Sequence, residues 1–484
     1  MKRIIHFVLL FLLVGCGDFL EEKSQTEVRP ATVSDMEKLI LGSVYFTNGT
    51  LYNTSTDLFA DDFMCAEPTN SIYEERKKSQ RWLFLWDRNM FDDIGSERVE
   101  NIEYWASPYE NIMACNVVLD YLDEMQGSDD KREYLRGEAL AMRGFYYLNL
   151  VNFFGLPYTM GDPEENLGVP LKLVSGVTDD PLPRKSVAEV YRQIEQDLSD
   201  GVKLMEEHDL HITDNFRVTP LVAHGLLSRM YLYQGKWDEV KKHADIVIEE
   251  GPGLYDLPQD SLTSIYESDE VLWYGSGASS HSNDSEKEAF IASDDFVNVF
   301  SMDLDPDPGL DTLDVRGDLI GPRRNAYLKV PSIGYTDWVS GVKKTLTSRG
   351  GGFRVAEAYL NRAEVYCRKY METGDAQMGQ AALDDLNHLR WFRFKGAMAE
   401  KQLSDYPTPE ELLDFCLRER RRELCGECNH RWFDIRRLGL PVEHYFFFSG
   451  EDGTTVRLEA NDYRYALPIP AKVLDNNTDL IQNR

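Results

Sequence analysis

Residues 222–248, VAHGLLSRMYLYQGKWDEVKKHADIVI, decide how this chain folds. Apolar side chains recur every three or four positions on both sides of a central Gln234-Gly235-Lys236, which is the helical period. The members of the two stripes are Val222, Leu226, Met230 and Tyr233 before the turn, and Trp237, Val240, Ala244, Val247 and Ile248 after it. The stretch therefore predicts two antiparallel helices with a tight turn at Gly235, about 32 residues in all and close to the tetratricopeptide length.

The same design recurs in residues 353–391. One stripe contains Ala356, Leu360, Ala363 and Cys367, the turn is Thr373-Gly374-Asp375, and the second stripe contains Met378, Ala382, Leu386 and Leu389. Further helical periods occur near 98–124, 131–154, 186–206 and 409–424. Because a hairpin that is apolar on both sides cannot bury its surfaces alone, we predict a mainly α fold in which tetratricopeptide-like hairpins stack into a curved right-handed bundle.

Long irregular stretches separate these helices. They cover residues 50–97, 155–184, 251–350 and 439–484, and they are rich in Gly, Pro, Asp, Ser and aromatic residues. Loops of such length in a compact protein are usually functional, so we expect a helical scaffold that carries a loop-built face. Short strands are predicted at 270–274 and 454–458, too few for a large sheet.

The composition narrows the classes of partner. Of the 484 residues 42% are hydrophobic, which suffices for a packed core. The chain has 52 Lys and Arg against 83 Asp and Glu, a net charge of −31, and a surface of that sign repels phosphate backbones. Nucleic acid is therefore excluded as an expected partner.

The amino-terminal segment predicts where the protein resides. Lys2 and Arg3 precede a short apolar run, Ile4 to Val14, and small residues then lead into Cys16. The run is too short to span a bilayer, and the pattern resembles the bacterial lipobox, in which the cysteine is acylated and becomes the mature amino terminus. We predict a signal peptide at 1–15 and a lipidated tether at 16–33; the alternative is an ordinary signal peptide with an incidental cysteine.

Several motifs spread along the chain resemble the SusD/RagB family and keep its order. They are Asp18 to Glu21 after the lipobox, Glu138 to Leu148, Phe154 to Pro157, Gly168 to Leu171, Arg184 to Tyr191, Asp197-Leu198, Tyr359 to Glu364, Glu419 to Leu424, Arg431 to Arg437 and Leu467 to Pro470. The resemblance implies a single SusD-like domain over residues 34–484, with a loop-rich insertion at about 251–350. It also implies an outer-membrane lipoprotein exposed at the cell surface.

The resemblance further implies a function. Members of the family bind nutrients, usually oligosaccharides, and pass them to a SusC-like TonB-dependent transporter, without catalysis and without a cofactor. Two alternatives stay open: a surface structural or adhesion lipoprotein that makes only protein contacts, and peptide binding as in the RagB branch. Besides the oligosaccharide and the transporter, the expected partners include outer-membrane lipid, which anchors the protein through Cys16.

The family's glycan pocket draws on the loops after the first helices and on the central insertion. In this chain those regions contain Tyr73, Arg81, Trp82, Trp86, Asn89, Trp273, Tyr274, Phe296, Tyr327 and Trp338. Aromatic rings cover the apolar faces of sugars, and polar side chains bind hydroxyls. We expect Trp82 and Trp273 to matter most, because both lie in irregular segments away from any helical stripe, whereas Trp237 and Trp432 are expected to be structural.

Three other patterns are weaker as functional signals. Asp303, Asp305, Asp307, Asp311 and Asp314 follow the spacing of a calcium loop, but Pro308 occupies the position that requires glycine. Cys425 and Cys428 have CxxC spacing, without a second pair or a βαβ context. The charged residues of the last motifs are predicted to form structural ion pairs; they are Arg420, Arg421, Glu423, Arg431, Asp434 and Arg436.

Overall fold

The computed structural model describes residues 30–45, 58–65, 71–92, 104–177, 181–256, 268–274, 290–300, 303, 313–314, 334–336, 343–345, 352–395, 400–425, 427, 429–448 and 450–484. Its helices are α1 Val33–Leu39, α2 Ser71–Phe84, α3 Ala106–Tyr121, α4 Asp129–Phe154, α5 Val187–Glu207, α6 Pro220–Gln234, α7 Trp237–Glu250, α8 Asp294–Val299, α9 Val355–Thr373, α10 Ala376–Trp391, α11 Pro409–Glu423, α12 His430–Leu438 and α13 Ala471–Asn476. Its strands are β1 Phe63–Cys65, β2 Val271–Tyr274, β3 Phe290–Ala292, β4 Leu313–Asp314, β5 Gly334–Thr336, β6 Lys343–Thr345, β7 Gly352–Arg354, β8 Phe394–Lys395, β9 Val442–Phe446 and β10 Thr454–Leu458.

The helices form a stacked array, which confirms the predicted mainly α fold. Consecutive helices pack from α3 through α4, α5, α6 and α7 onto α9, which in turn packs against α10 and α11. Both predicted hairpin turns are present: Gly235 and Gly374 have φ of 72° and 70°, a left-handed conformation that glycine adopts without a Cβ penalty.

Helix α4 is the central element, because almost every side chain from Tyr134 to Phe154 is buried. Its closest neighbour is α5, and the two helices approach where each has a glycine. A Cβ on Gly137 would lie 2.8 Å from the carbonyl oxygen of Gly201, so no larger residue fits there without a shift. Around this pair lies the larger hydrophobic core, and a second cluster joins α9, α10 and α11.

The strands form small two-stranded antiparallel sheets. The predicted strands at 270–274 and 454–458 are confirmed as β2 and β10. Strand β2 pairs with β7, which places Tyr274 opposite Gly352, on either side of residues 275–351. Across the ranges that are described, no helix is both long and apolar enough to span a membrane.

The expectation of an irregular stretch over 50–97 is wrong in part, because that stretch contains β1 and the fourteen-residue helix α2. The sequence of α2, SIYEERKKSQRWLF, is dominated by charged residues. Its apolar residues lie only at the two ends, Ile72 and Tyr73 and then Trp82 to Phe84, and do not repeat along a stripe, so the helical period is not visible.

Candidate functional site

Three of the aromatic residues expected to bind ligand are buried. Trp273 is 1% exposed, Phe296 2% and Trp86 3%. The Trp273 ring contacts Tyr45 and Phe145 in the larger core. Strand side chains alternate between faces, so Trp273 and Tyr274 point opposite ways and only Tyr274 reaches the surface. The expectation that Trp273 lies outside the core is therefore wrong.

Trp86 and Phe296 are also structural in this conformation. The Trp86 ring stacks on His444 with centroids 4.2 Å apart, and its Nε1 donates to the carbonyl oxygen of Phe59 at 3.2 Å. Phe296 packs against Phe300. Neither ring presents a free face to a ligand.

Arg81, Trp82 and Asn89 lie at the carboxyl-terminal end of α2 and in the turn after it. The Arg81 guanidinium lies 4.1 Å from the centroid of the half-buried Trp82 ring and covers part of it. Asn89 is exposed, and its backbone N–H donates to Asp87 Oδ1 at 2.8 Å. Arg81, Trp82 and Asn89 thus lie near one another, and they form one candidate binding surface.

Other predicted site residues lie outside the described residues. They are Cys16, Tyr327, Trp338, Asp305, Asp307 and the side chain of Tyr73, whose backbone belongs to α2.

One exposed aromatic contact involves a residue that the sequence analysis missed. Phe216 is 59% exposed, and its ring meets that of the half-buried Tyr274 edge to face, with centroids 6.1 Å apart. We call this contact the Phe216–Tyr274 pair. The only signal for Phe216 was a single aromatic residue in the polar run that links α5 to α6.

Buried groups hold the Phe216 side of the pair. Arg217 Nε donates to Glu138 Oε1 at 2.9 Å, and Arg217 Nη1 donates to Glu37 Oε1 at 3.0 Å. The Tyr45 hydroxyl donates to Glu138 and accepts from the backbone N–H of Val218 at 2.7 Å. Burial, together with the nearby Glu138 charge, raises the pKa of Tyr45 well above its ordinary value, so the hydroxyl stays protonated.

The Tyr274 side is held by the sheet. Tyr274 pairs with Gly352 of β7, and its backbone N–H donates to the carbonyl oxygen of Asn215 at 2.6 Å. The same loop carries two exposed carboxylates, Asp209 and Asp214, and Asp214 Oδ1 accepts from the backbone N–H of Phe216 at 3.1 Å. The site thus offers apolar ring surface beside hydrogen-bond acceptors, a combination suited to sugar rings and their hydroxyls.

The calcium loop is not supported at Asp303. Its carboxylate accepts from Arg418 Nη2 at 2.8 Å and also from Arg422. Although burial opposes it, these bonds lower the pKa of Asp303. Two guanidinium groups already neutralise this carboxylate and occupy its oxygens, which leaves it unsuited to a cation. Cys425 is buried, Cys428 is outside the described ranges, and within those ranges no three metal-ligating side chains converge.

The predicted structural ion pairs are present for most of the charged motif residues. Arg420 contacts Asp434 at 2.9 Å, Arg421 contacts Asp62 at 2.7 Å, Arg431 contacts Asp61 at 2.6 Å, and Glu423 contacts Arg354 and Arg393 at 2.9 Å each. We call this buried network, with Glu270 and Glu427, the arginine frame. It ties α11 and α12 to the end of β7 and to the segments around β1, β2 and β8.

Arg436 departs from the prediction. It donates to backbone carbonyls, including that of Tyr465 at 2.7 Å, and no carboxylate contacts it in the described residues. Burial accordingly lowers its pKa to about 10. Trp432 is 1% exposed, as expected for a structural residue, whereas Trp237 is only half-buried beneath Arg368.

Comparisons with known proteins agree with this architecture. A family model described as "Starch-binding associating with outer membrane" matches residues 18–232, and one described as "SusD family" matches residues 335–484. The SusD-like protein P2 of Formosa agariphila is 22% identical over 542 residues, which cover 99% of this chain and 98% of that protein.

Solved structures show the same fold. A SusD superfamily protein from Bacteroides vulgatus is 22% identical with a TM-score of 0.69, covering 94% of this chain and 99% of its own. One from Bacteroides thetaiotaomicron is 23% identical with a TM-score of 0.65, covering 94% and 100%. A SusD-like carbohydrate binding protein from Bacteroides vulgatus is 21% identical with a TM-score of 0.60, covering 93% and 97%.

Proposed function

The chain belongs to the SusD/RagB family, and from that premise we propose that it captures oligosaccharides at the outer membrane and passes them to a SusC-like TonB-dependent transporter. We place the ligand on the Phe216–Tyr274 pair. The observation that carries this placement is a largely exposed aromatic ring held on a rigid base of buried hydrogen bonds.

Preorganisation is what makes this pair suited to binding. Arg217 and Val218, the residues directly after Phe216, are fixed by Glu138 and Tyr45, and Tyr274 is fixed by β7. A ring that is already held in place loses little conformational entropy when a sugar stacks on it. Arg81, Trp82 and Asn89 form a second contact surface in this proposal.

A matched pair of exposed aromatic residues tests the placement. Phe216 is 59% exposed and Trp391, at the end of α10, is 61% exposed. An aromatic platform contributes on the order of 1–2 kcal/mol, so Phe216→Ala should weaken glycan binding about tenfold, measured by calorimetry with a ligand found on a glycan array. Trp391→Ala should bind like the parent. Equal affinities of all three proteins would remove the ligand from this pair.

The transporter is tested by purification. A lipid-anchored scaffold with a polar tether can cover a barrel mouth and remain attached to the membrane, so a complex should survive mild detergent. Affinity purification from native membranes should recover a TonB-dependent barrel. Recovery of adhesins or matrix proteins, without a barrel, would favour the structural or adhesion role, and an array that shows peptide ligands alone would favour the RagB-like role.

The anchor is tested at Cys16. Stable lipid anchoring requires two or more signals or chains, which acylation of this cysteine would supply. Cys16→Ala should abolish incorporation of labelled palmitate and release the protein from membranes. A variant that stays membrane-bound after a high-salt wash would contradict the lipoprotein assignment.

A further inference from the structure

Resting on the proposed function, we propose that the Phe216–Tyr274 pair selects glycans that are uncharged or carry amino groups, and that it excludes glycans with uronate or sulfate groups. The evidence is the sign of the charges that the described residues place around the pair.

The exposed charges on the loop beside Phe216 are negative. Asp209 and Asp214 are exposed carboxylates in residues 208–216, and their loop neighbour His211 has its imidazole against Asp209. An anionic sugar stacked on Phe216 would bring its charge toward Asp214, whose carboxylate oxygen bonds the backbone N–H of Phe216 itself. Like charges brought together in this way disfavour binding, whereas an ammonium group would be attracted.

The cation nearest in sequence cannot compensate. Arg217 is 7% exposed, and it bonds two carboxylates, Glu138 and Glu37. Glu37 also accepts from Lys131, so two cationic side chains and two carboxylates lie together next to Phe216, and their charges cancel. This group of four is therefore neutral overall, and the exposed aspartates of the loop set the sign of the electrostatic potential at the pair.

The two loop aspartates also act on Tyr134 of α4. Burial raises the pKa of Tyr134, and the negative charges of Glu138, Asp209 and Asp214 act in the same direction, against the opposing effect of Arg217. The two loop aspartates thus act on a hydroxyl in α4 as well as on Phe216. The whole chain, at a net charge of −31, adds a long-range field of the same sign.

The test compares glycans that differ in charge alone. The detergent-solubilised lipidated protein is titrated with tetragalacturonate and with the same tetramer after its carboxyl groups are reduced to alcohols, alongside a glycan array that contains neutral, amino, uronate and sulfated members. We expect array binding to be confined to neutral and amino members. Where the tetramer binds, the reduced form should bind on the order of tenfold more tightly than the uronate at low salt, with a smaller ratio at 0.5 M NaCl.

Variants connect this selectivity to the loop. The double change Asp209→Asn and Asp214→Asn leaves hydrogen-bonding side chains but removes two charges, so it should narrow the preference for neutral over anionic glycans severalfold. The double change Glu410→Gln and Glu411→Gln, which removes two charges at the start of α11, is the control and should leave the preference unchanged.

The outcomes separate the two proposals. Binding of a uronate or sulfated glycan that Phe216→Ala abolishes would overturn the selectivity and leave the proposed function intact. An unchanged preference in the Asp209 and Asp214 variant would also overturn it. A failure to bind any glycan on the array would overturn the proposed function and, with it, the selectivity.

Discussion

The arginine frame and the Phe216–Tyr274 pair use their side chains in opposite ways. In the frame, most guanidinium and carboxylate groups are buried, and several contact more than one partner; Arg393, for example, contacts both Glu270 and Glu423. In the pair, Phe216 is exposed and its ring touches a single aromatic neighbour in the described structure. Most polar groups of the frame already have hydrogen-bond partners, whereas the Phe216 ring keeps an exposed face.

The difference shows why prominent charge in this sequence is a poor guide to binding. A buried charge must be paired or, like Arg436, hydrogen-bonded, because one without partners costs several kcal/mol, so runs of arginine and glutamate indicate a frame that fastens helices together. Binding surface requires the reverse condition, a large side chain that folding leaves exposed. The following predictions separate the two regions, beginning with the largest effect.

Breaking the frame should cost the most stability. Arg393→Met leaves Glu270 and Glu423 buried with less neutralisation, and loss of one partner from a buried network costs about 3–5 kcal/mol. Thermal or denaturant unfolding measures this loss. Arg457→Ala, which removes an exposed ion pair with Glu459, should change stability by less than about 1 kcal/mol. Equal losses in the two variants would contradict the role of the frame.

Two neighbours on β2 should separate stability from binding. Trp273→Ala opens a cavity beside Tyr45 and Phe145 and should cost about 3–5 kcal/mol of stability. Tyr274→Ala should cost far less stability but weaken glycan binding about tenfold. Unfolding curves and calorimetry on both variants check the split. A stable Trp273→Ala protein that fails to bind glycan would show that Trp273 contributes to the ligand site.

The frame should also make stability depend on pH near neutrality. Burial raises the pKa of Glu427 to about 7 from an ordinary 4.5, and the like charge of Glu423 adds to this against the opposing effect of Arg354. The folded protein therefore retains a proton that the unfolded chain releases between these values. Stability should fall as pH rises from about 4.5 to 7, by an amount on the order of 1–3 kcal/mol.

The opposite sign is expected in acid. Although burial opposes it, Arg437 holds the pKa of Glu364 at about 2, and Arg420 together with Arg437 holds the pKa of Asp434 at about 2. These carboxyls stabilise the fold above their unfolded pKa, and that contribution is lost as pH falls from about 4.5 toward 2. Glu427→Gln should flatten the loss between pH 4.5 and 7 and preserve the loss in acid. A variant with the parent's profile at neutral pH would show that Glu427 does not titrate there.

The smallest effect is expected at Trp82. Because the Arg81 guanidinium already covers part of the ring, Trp82→Ala should weaken glycan binding by only two- to fivefold, less than Phe216→Ala. Calorimetry with the same ligand ranks the two variants. A larger loss at Trp82 would make the surface at the end of α2 the main contact and the Phe216–Tyr274 pair secondary.

Most of the helical scaffold could be predicted from the sequence. The hairpins at 222–248 and 353–391 were visible because their apolar stripes keep the helical period, and their turns were visible because Gly235 and Gly374 need positive φ. The short strands at 270–274 and 454–458 were also found. Helix α2 was missed because its charged residues conceal the period.

The candidate site was predicted less well. In the sequence, Trp273 and Tyr274 are two adjacent aromatic residues with no feature that distinguishes them. Only the pairing of β2 with β7 decides which of them faces the core. Phe216 could not be ranked above other isolated aromatics, because its exposure depends on Arg217 being anchored by Glu138, a residue of a distant helix. Sites assembled from long-range contacts require the fold before their members can be chosen.

The pairing of β2 with β7 has a consequence for how the chain can vary. Because the two strands hold residues 274 and 352 together, part of the entropic cost of closing the intervening segment is met at its base, and the pairing of β3 with β1 and the contact of Asp303 with Arg418 hold it further along. Closure entropy grows slowly with length, by about 0.6 kcal/mol for each doubling of a flexible loop. We therefore expect changes in the length of this segment to be tolerated where they leave β3 and Asp303 in place, so that related chains can differ in length there while the helical array stays folded.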